Sequence, residues 1–206
     1  MGKKVVIAIG REFGSGGREI AKKVAERLNV KLYDKELIGL IARESGMHED
    51  VLEQVDETAT NSFLYALSTG SFSSVPFVNG SPMALPINDK AFITCAGIIK
   101  EIASKESCVI LGRCAESVLK GTDGLLTVFV HADIERRIDR VCEHEEISRS
   151  EANSVIKRAD KKRASYHNYY ADTPWGSRAS YDLCINSKIG TDAAADIIVM
   201  AAKNSH

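Results

Sequence analysis

The sequence has no apolar stretch approaching the ~20 residues that a helix needs to cross a bilayer. It has no excess of either charge: 27 Lys and Arg stand against 28 Asp and Glu, a formal net charge of −1. That balance argues against a general affinity for nucleic acid or for a membrane surface, and leaves room for a local basic site. The five cysteines, at 95, 108, 114, 142 and 184, are an odd number with no Cys-x-x-Cys pair. A zinc site is therefore not expected, and reduced thiols in a cytoplasmic protein are. His48, His131, His144 and His167 show no metal-ligand spacing, and His131 reads as structural. No local nucleophile motif and no repeat of solenoid period appear. Met1-Gly2-Lys3-Lys4 leads straight into Val5–Ile9, an apolar run too short for a signal-peptide core.

What is present is an alternation of short β-branched runs with helical ones, over a length that suits one α/β domain with a sizeable core. Strands are predicted at Lys4–Ile9, Val30–Tyr33, Cys108–Leu111, Leu125–Val130 and Asp182–Ile185. Helices are predicted at Gly17–Leu28, Lys35–Arg43, Glu49–Glu57, Asp89–Ser104, Asp133–Glu143, Ser148 to about Tyr170, and Asp192–Lys203. The inward stripes read as Ile20, Val24 and Leu28, then Ile134, Ile138 and Val141, then Ile197, Ile198 and Ala201. Thr58–Asn88 is rich in Ser, Gly and Pro, has no clear period, and reads as an irregular insertion.

The strongest signal lies between the first strand and the first helix: Ile9-Gly10-Arg11-Glu12-Phe13-Gly14-Ser15-Gly16-Gly17-Arg18-Glu19-Ile20. A glycine-rich turn opening a helix presents several backbone N–H groups to one point, where the helix dipole adds positive potential. Gly14, Ser15, Gly16, Gly17, Arg18 and Glu19 are the candidate phosphate-binding residues. The motif departs from G-x-x-x-x-G-K-[ST] at three places. Glu12 stands where the first Gly belongs, Arg18 replaces the Lys, and Glu19 replaces the Ser or Thr. Arg18 can hold a phosphate through two parallel hydrogen bonds. Glu19 has two readings, a magnesium ligand or a carboxylate at the positive end of its own helix.

Six stretches together carry a resemblance. Gly14–Ile20, Tyr33-Asp34-Lys35-Glu36-Leu37-Ile38 and Ile110-Leu111-Gly112-Arg113 resemble the cytidylate kinase-like family, as do Val128–Asp133, Asp160–Arg163 and Tyr181–Asn186. The resemblance implies a P-loop NTPase-type three-layer α/β fold. In that fold a central parallel sheet carries a nucleoside-monophosphate-binding insertion at about 58–88 and a basic helical lid at about 148–172. It implies ATP and Mg2+ as cofactors and a nucleoside monophosphate as acceptor, CMP or dCMP first. Asp34, Arg113, Asp160 and Arg163 match the family's substrate-contacting positions. Cys114 stands where true cytidylate kinases carry the Asp of their Gly-Arg-Asp motif. A thiol accepts poorly from a cytosine amino group.

Lys157, Arg158, Lys161, Lys162 and Arg163 place five cations in seven residues. Arg158, Lys162 and Arg163, with Arg18, are the candidate catalytic cations, because phosphoryl transfer needs positive charge around an anionic transition state. A solvated helix face is the competing reading of the same run. Arg136 and Arg140 read mainly as surface partners of acidic neighbours. Tyr166, Tyr169 and Tyr170 read as packing, and Trp175 and Arg178 as part of a loop near the ATP base. No residue is assigned to the metal. Two further functions stay open at this point: a small-molecule kinase with another acceptor, and a nucleotide-binding module without catalysis.

Overall fold

The computed structural model describes residues 4–34 and 87–204. The helices expected at Lys35–Arg43 and Glu49–Glu57, and nearly all of the Thr58–Asn88 insertion, lie outside the described residues. In chain order the elements are β1 (Val6–Arg11), α1 (Gly17–Leu28), β2 (Lys31–Tyr33), α2 (Ile87–Lys105), β3 (Cys108–Leu111) and α3 (Ala115–Val118). Then follow β4 (Leu125–His131), α4 (Ile134–Glu145), α5 (Arg149–Tyr170), β5 (Leu183–Asn186) and α6 (Thr191–Asn204).

The five strands form one parallel sheet in the order β2-β3-β1-β4-β5. β1 is central, with Ile9 opposite Leu111 on one side and Gly10 opposite Phe129 on the other. It reads as a continuous apolar run because helices cover both faces. On one face α1 and α6 pack Ile20, Val24, Ala194, Ala195 and Ile198 against Ile7, Ile9, Val109 and Val128. On the other, α2 and α3 pack Ile99, Ala103, Ala115 and Leu119 against Val6, Ala8 and Ile110. This is the three-layer α/β fold expected from the sequence. The order reverses at β1, so the crevice beyond its carboxyl end is the natural ligand position.

Local chemistry sets the element ends. α1 stops at Asn29, left-handed at φ 52°, whose N–H closes on the carbonyls of Ala25 and Glu26. α5 starts with a capping box: Ser148 Oγ accepts from Glu151 N–H, and Glu151 Oε2 accepts from Ser148 N–H at 3.0 Å. α4 and α5 form a helical pair around Ile138, Val141, Ala152 and Ile156, with Phe13 of the turn packed against them. All five cysteines are free thiols, with Cys95, Cys108 and Cys114 buried. Among the described residues no helix is long and apolar enough to cross a membrane.

Three expectations need correction. β1 runs two residues further than predicted, so Gly10 and Arg11 belong to the strand, because β4 continues to pair with them through Phe129 and Val130. Ile134 is 43% exposed. It lies in the first turn of α4, beyond the reach of the apolar cluster formed by Ile138 and Val141. Ile197 is exposed too, because the buried stripe of α6 is Ala195, Ile198, Val199 and Ala202, spaced i, i+3, i+4, i+7. A contrast on α6 tests this stripe by urea denaturation. Ile198→Ala should cost about 2–5 kcal/mol, while Met200→Ala should change stability by less than about 0.5 kcal/mol. Equal losses would contradict the orientation of the helix.

Candidate active site

The glycine-rich turn crosses the carboxyl end of β1, at the reversal of strand order. Gly14 (φ 74°) and Gly16 (φ 80°) both take the left-handed conformation. Gly16 is the N-cap of α1 and makes no side-chain cap hydrogen bond. The N–H groups of Gly17, Arg18 and Glu19 have no acceptor within the helix, by the geometry of any helix start. They lie at the positive end of a twelve-residue helix, with Gly17 buried and Arg18 and Glu19 exposed. Ser15 is fully buried and its hydroxyl donates to the Glu12 carbonyl at 2.9 Å, bracing the turn from within.

Arg137, which sequence reasoning did not single out, holds the turn from below. Its Nε donates to the Phe13 carbonyl at 2.8 Å, its Nη1 pairs with Glu12 Oε2 at 3.0 Å, and its Nη2 pairs with Asp160. Asp160 in turn accepts from Phe13 N–H at 2.8 Å. Glu12 also accepts from Ala132 N–H at 3.1 Å. The carboxylate that replaces the first motif glycine is thus directed to the α4 side of the turn. One signal could have found Arg137. Position 137 falls on the i, i+3, i+4, i+7 stripe of Ile134, Ile138 and Val141, and a cation on a buried face needs an anion opposite it.

Cations flank the turn on two sides. On the β4–β5 side, Arg140 Nη1 donates to the Gly14 carbonyl at 3.1 Å, and its guanidinium packs against Gly16. Arg140, Arg136, Asp139, Glu143 and Ser187 line an open cleft of about 400 Å3. Arg140 therefore does more than pair with acidic neighbours on the surface. On the β2–β3 side, Arg18 Nε donates to Asp34 Oδ2 at 2.6 Å, at the end of β2. Arg113 follows β3 in a left-handed conformation, φ 59°. From α5, Arg163 Nη1 donates to the Arg11 carbonyl at 3.2 Å, and its guanidinium lies 5.3 Å from the centre of the Phe13 ring.

The other expected residues are distributed as follows. Lys162 is half-buried and Arg158 is exposed to solvent on α5. Glu19 lies at the seam with α6, where it accepts from Thr191 Oγ1 at 2.7 Å and pairs with Lys23 at 3.0 Å. Those contacts, the Thr191 hydrogen bond foremost, hold its carboxyl below the ordinary range. Cys114 is buried and left-handed (φ 54°), one residue beyond Arg113. Tyr166, Tyr169 and Tyr170 pack together, and Phe92 stacks on Tyr170 at 3.9 Å. Trp175 meets Phe129 edge-on at 5.5 Å. Glu116 and His167, another pair not foreseen, are both buried with Oε1 and Nε2 2.6 Å apart, tying α5 to α3. Among the described residues no three ligating side chains group to hold a metal ion.

Arg137→Met tests the clamp by removing the cation and leaving two carboxylates behind. The expected loss is about 2–3 kcal/mol in urea denaturation. This is below the value for a fully buried pair because Glu12 and Asp160 keep 25% and 18% of their side-chain exposure. An unchanged midpoint would remove Arg137 from its place as the support of the turn.

Comparison with known proteins agrees with this fold. A solved structure described as an uncharacterized protein from Eubacterium ventriosum ATCC 27560 is 32% identical to this chain, with a TM-score of 0.71. The match covers 98% of this chain and 99% of that one. Shikimate kinase from Bacteroides thetaiotaomicron is 15% identical with a TM-score of 0.52, over 94% and 96% of the two chains. Shikimate kinase from Acinetobacter baumannii, solved in complex with shikimate, is 12% identical with a TM-score of 0.51, over 96% and 92%. At such identities these two share the fold. No curated protein matches. The cytidylate kinase-like family matches residues 6–189, which take in all five strands of the sheet and both helices of the clamp. The chain belongs to the cytidylate kinase-like family.

Proposed function

We propose that this protein is a P-loop kinase that transfers the γ-phosphoryl group of ATP to a nucleoside monophosphate, with CMP or dCMP the first acceptors to test. The observation that carries the reading is the opening of α1. It is a glycine-capped helix start without a side-chain cap, set at the sheet's reversal point and flanked by guanidinium groups on both sides. Gly14, Ser15, Gly16, Gly17 and Arg18 would hold the donor phosphates. The residues present suit ATP in this respect, since the open amides offer donors where an anion is needed. ATP with Mg2+ supplies the phosphoryl group and neutralises part of its charge. Magnesium takes most of its oxygens from phosphates and water, so a dedicated protein cage is not required.

On this reading Arg113 and Asp34 orient the acceptor, and Arg163 and Lys162 bring positive charge from α5 to the transferring group. Arg158 would join them only when α5 approaches the substrates. Asp160 acts through the turn, fixing Phe13, and the same contact ties the middle of α5 to the site. Exclusion of water by these side chains would protect the phosphoryl group from hydrolysis. A cytoplasmic location fits the free thiols.

A second reading, a small-molecule kinase with a different acceptor, is favoured by Cys114. A buried thiol offers little to a cytosine amino group. A coupled ADP-release assay across nucleoside monophosphates separates the two. Turnover with CMP or dCMP supports the first, and turnover confined to a non-nucleotide acceptor supports the second. In the same assay Arg18→Ala should abolish turnover. Its stability should fall by less than about 1 kcal/mol, because the Arg18 side chain is 60% exposed in its pair with Asp34. Retained turnover would take the donor role away from Arg18.

A further inference from the structure

Arg11 is a cation that neither the glycine-rich turn nor the basic helix explains. It is the last residue of β1, at the edge where strand order reverses. Its stem runs against the opening of α1. A Cβ at Gly17 would stand 2.6 Å from Arg11 Cβ and 3.0 Å from its Cγ, so only glycine fits there without moving the backbone. Its Nη1 occupies the space that a side chain at Gly112 would need. Arg11 therefore threads between the start of α1 and the end of β3.

The wall it reaches has unusual backbone. Gly112, Arg113 and Cys114 are left-handed in succession, at φ 82°, 59° and 54°. Non-glycine residues in that region cost of order 1–3 kcal/mol each and persist where the surroundings impose them, commonly at ligand sites. Here the strained turn leaves Gly112, without a side chain, facing the Arg11 guanidinium, and brings Arg113 into its electrostatic range.

The electrostatics point the same way. Burial, then repulsion from Arg163, pushes the Arg11 pKa down to about 9. Arg113 and Arg18 add to the fall and Asp34 opposes it. Asp34 is itself engaged by Arg18. Among the described residues the Arg11 guanidinium donates no hydrogen bond and joins no ion pair. It stays protonated at neutral pH, and among the described residues it is a partly desolvated cation with no partner. Such a group is costly unless something neutralises it. An incoming anion would remove that cost, and a dianion suits four neighbouring guanidinium groups better than a single carboxylate does.

We propose that Arg11 is the anion-binding residue of the acceptor site, its guanidinium, held between Gly17 and Gly112, receiving a phosphomonoester carried by the acceptor. The word acceptor rests on the kinase reading above; the anion site at Arg11 does not. On this view Gly17 serves two neighbours, giving its amide to the donor side and its missing side chain to Arg11.

The test is stabilisation by inorganic phosphate while Mg2+ and a non-hydrolysable ATP analogue, β,γ-imido-ATP, fill the turn. The wild-type Tm should rise with the nucleotide and rise further with phosphate. In Arg11→Met the nucleotide increment should persist and the phosphate increment should vanish. Arg11→Lys, which keeps the charge but loses the two-pronged donor, should weaken phosphate binding about tenfold or more, and it decides the matter if the methionine variant does not fold. A phosphate increment absent from the wild type, or unchanged in both variants, overturns the proposal. The two readings fail separately. If the analogue does not bind but phosphate still stabilises through Arg11, the donor assignment falls and the Arg11 site stands. If the analogue binds and phosphate ignores Arg11, the reverse holds.

Discussion

The guanidinium of Arg137 fixes the geometry on which the site depends. Each of its three nitrogens is engaged, with the Phe13 carbonyl, the Glu12 carboxylate and the Asp160 carboxylate. Asp160 also receives the Phe13 N–H, so both polar groups of one turn residue are read by a single ion pair. The turn is thereby held in place by contacts within the protein. The same contacts seat α4 against α5. Any closing motion of α5 has to pivot beyond Asp160 or break its hydrogen bonds to the turn and to Arg137.

Around that fixed point the charges divide by whether they are satisfied. Glu12, whose position in the motif looked hostile to phosphate, is neutralised by Arg137 and Ala132 N–H. Glu19, equally awkward on paper, is drawn to Thr191 and Lys23 at the α1–α6 seam. Both acidic departures from the usual motif are thus accounted for by local partners, and neither adds unpaired negative charge to the turn. The cations are treated differently. The exposed Arg18 pairs with one half-buried carboxylate, Asp34 at the end of β2, and Arg11 has none among the described residues. Arg11 and Arg18 lie on the β2–β3 side of the turn, opposite the Arg140 cleft. Two cationic flanks around one glycine-rich turn suit the proposed reaction, which joins two anionic partners.

Much of the fold was legible from periodicity and breakers. The strand runs at Cys108–Leu111 and Leu125–Val130 are β-branched or apolar throughout, and they fall where a sheet buried on both faces requires them. The glycine-rich turn was legible because glycine, helix start and preceding strand coincide within twelve residues. What was not legible depended on contacts far apart in sequence. Arg137 meets Glu12 and Phe13 more than 120 residues away, and a run of Glu-Arg-Arg looks like a solvated helix face until the stripe around it is drawn. Arg11 was hidden by a strand boundary placed two residues early, which left it in the loop. His167 and Glu116 pair across 51 residues, and no local pattern announces such a pair. Ile134 and Ile197 were assigned inward from their spacing with other apolar residues, and the direction of burial was decided by the neighbouring elements.

A crystal structure of the protein with Mg2+ and β,γ-imido-ATP tests the central claim most directly. The account predicts the β-phosphate within hydrogen-bond distance, about 2.7–3.2 Å, of the Gly16, Gly17 and Arg18 amides, with the Arg18 guanidinium on the terminal phosphate. A nucleotide bound elsewhere on the sheet edge, or a turn that stays closed by its own side chains at saturating nucleotide, would contradict it.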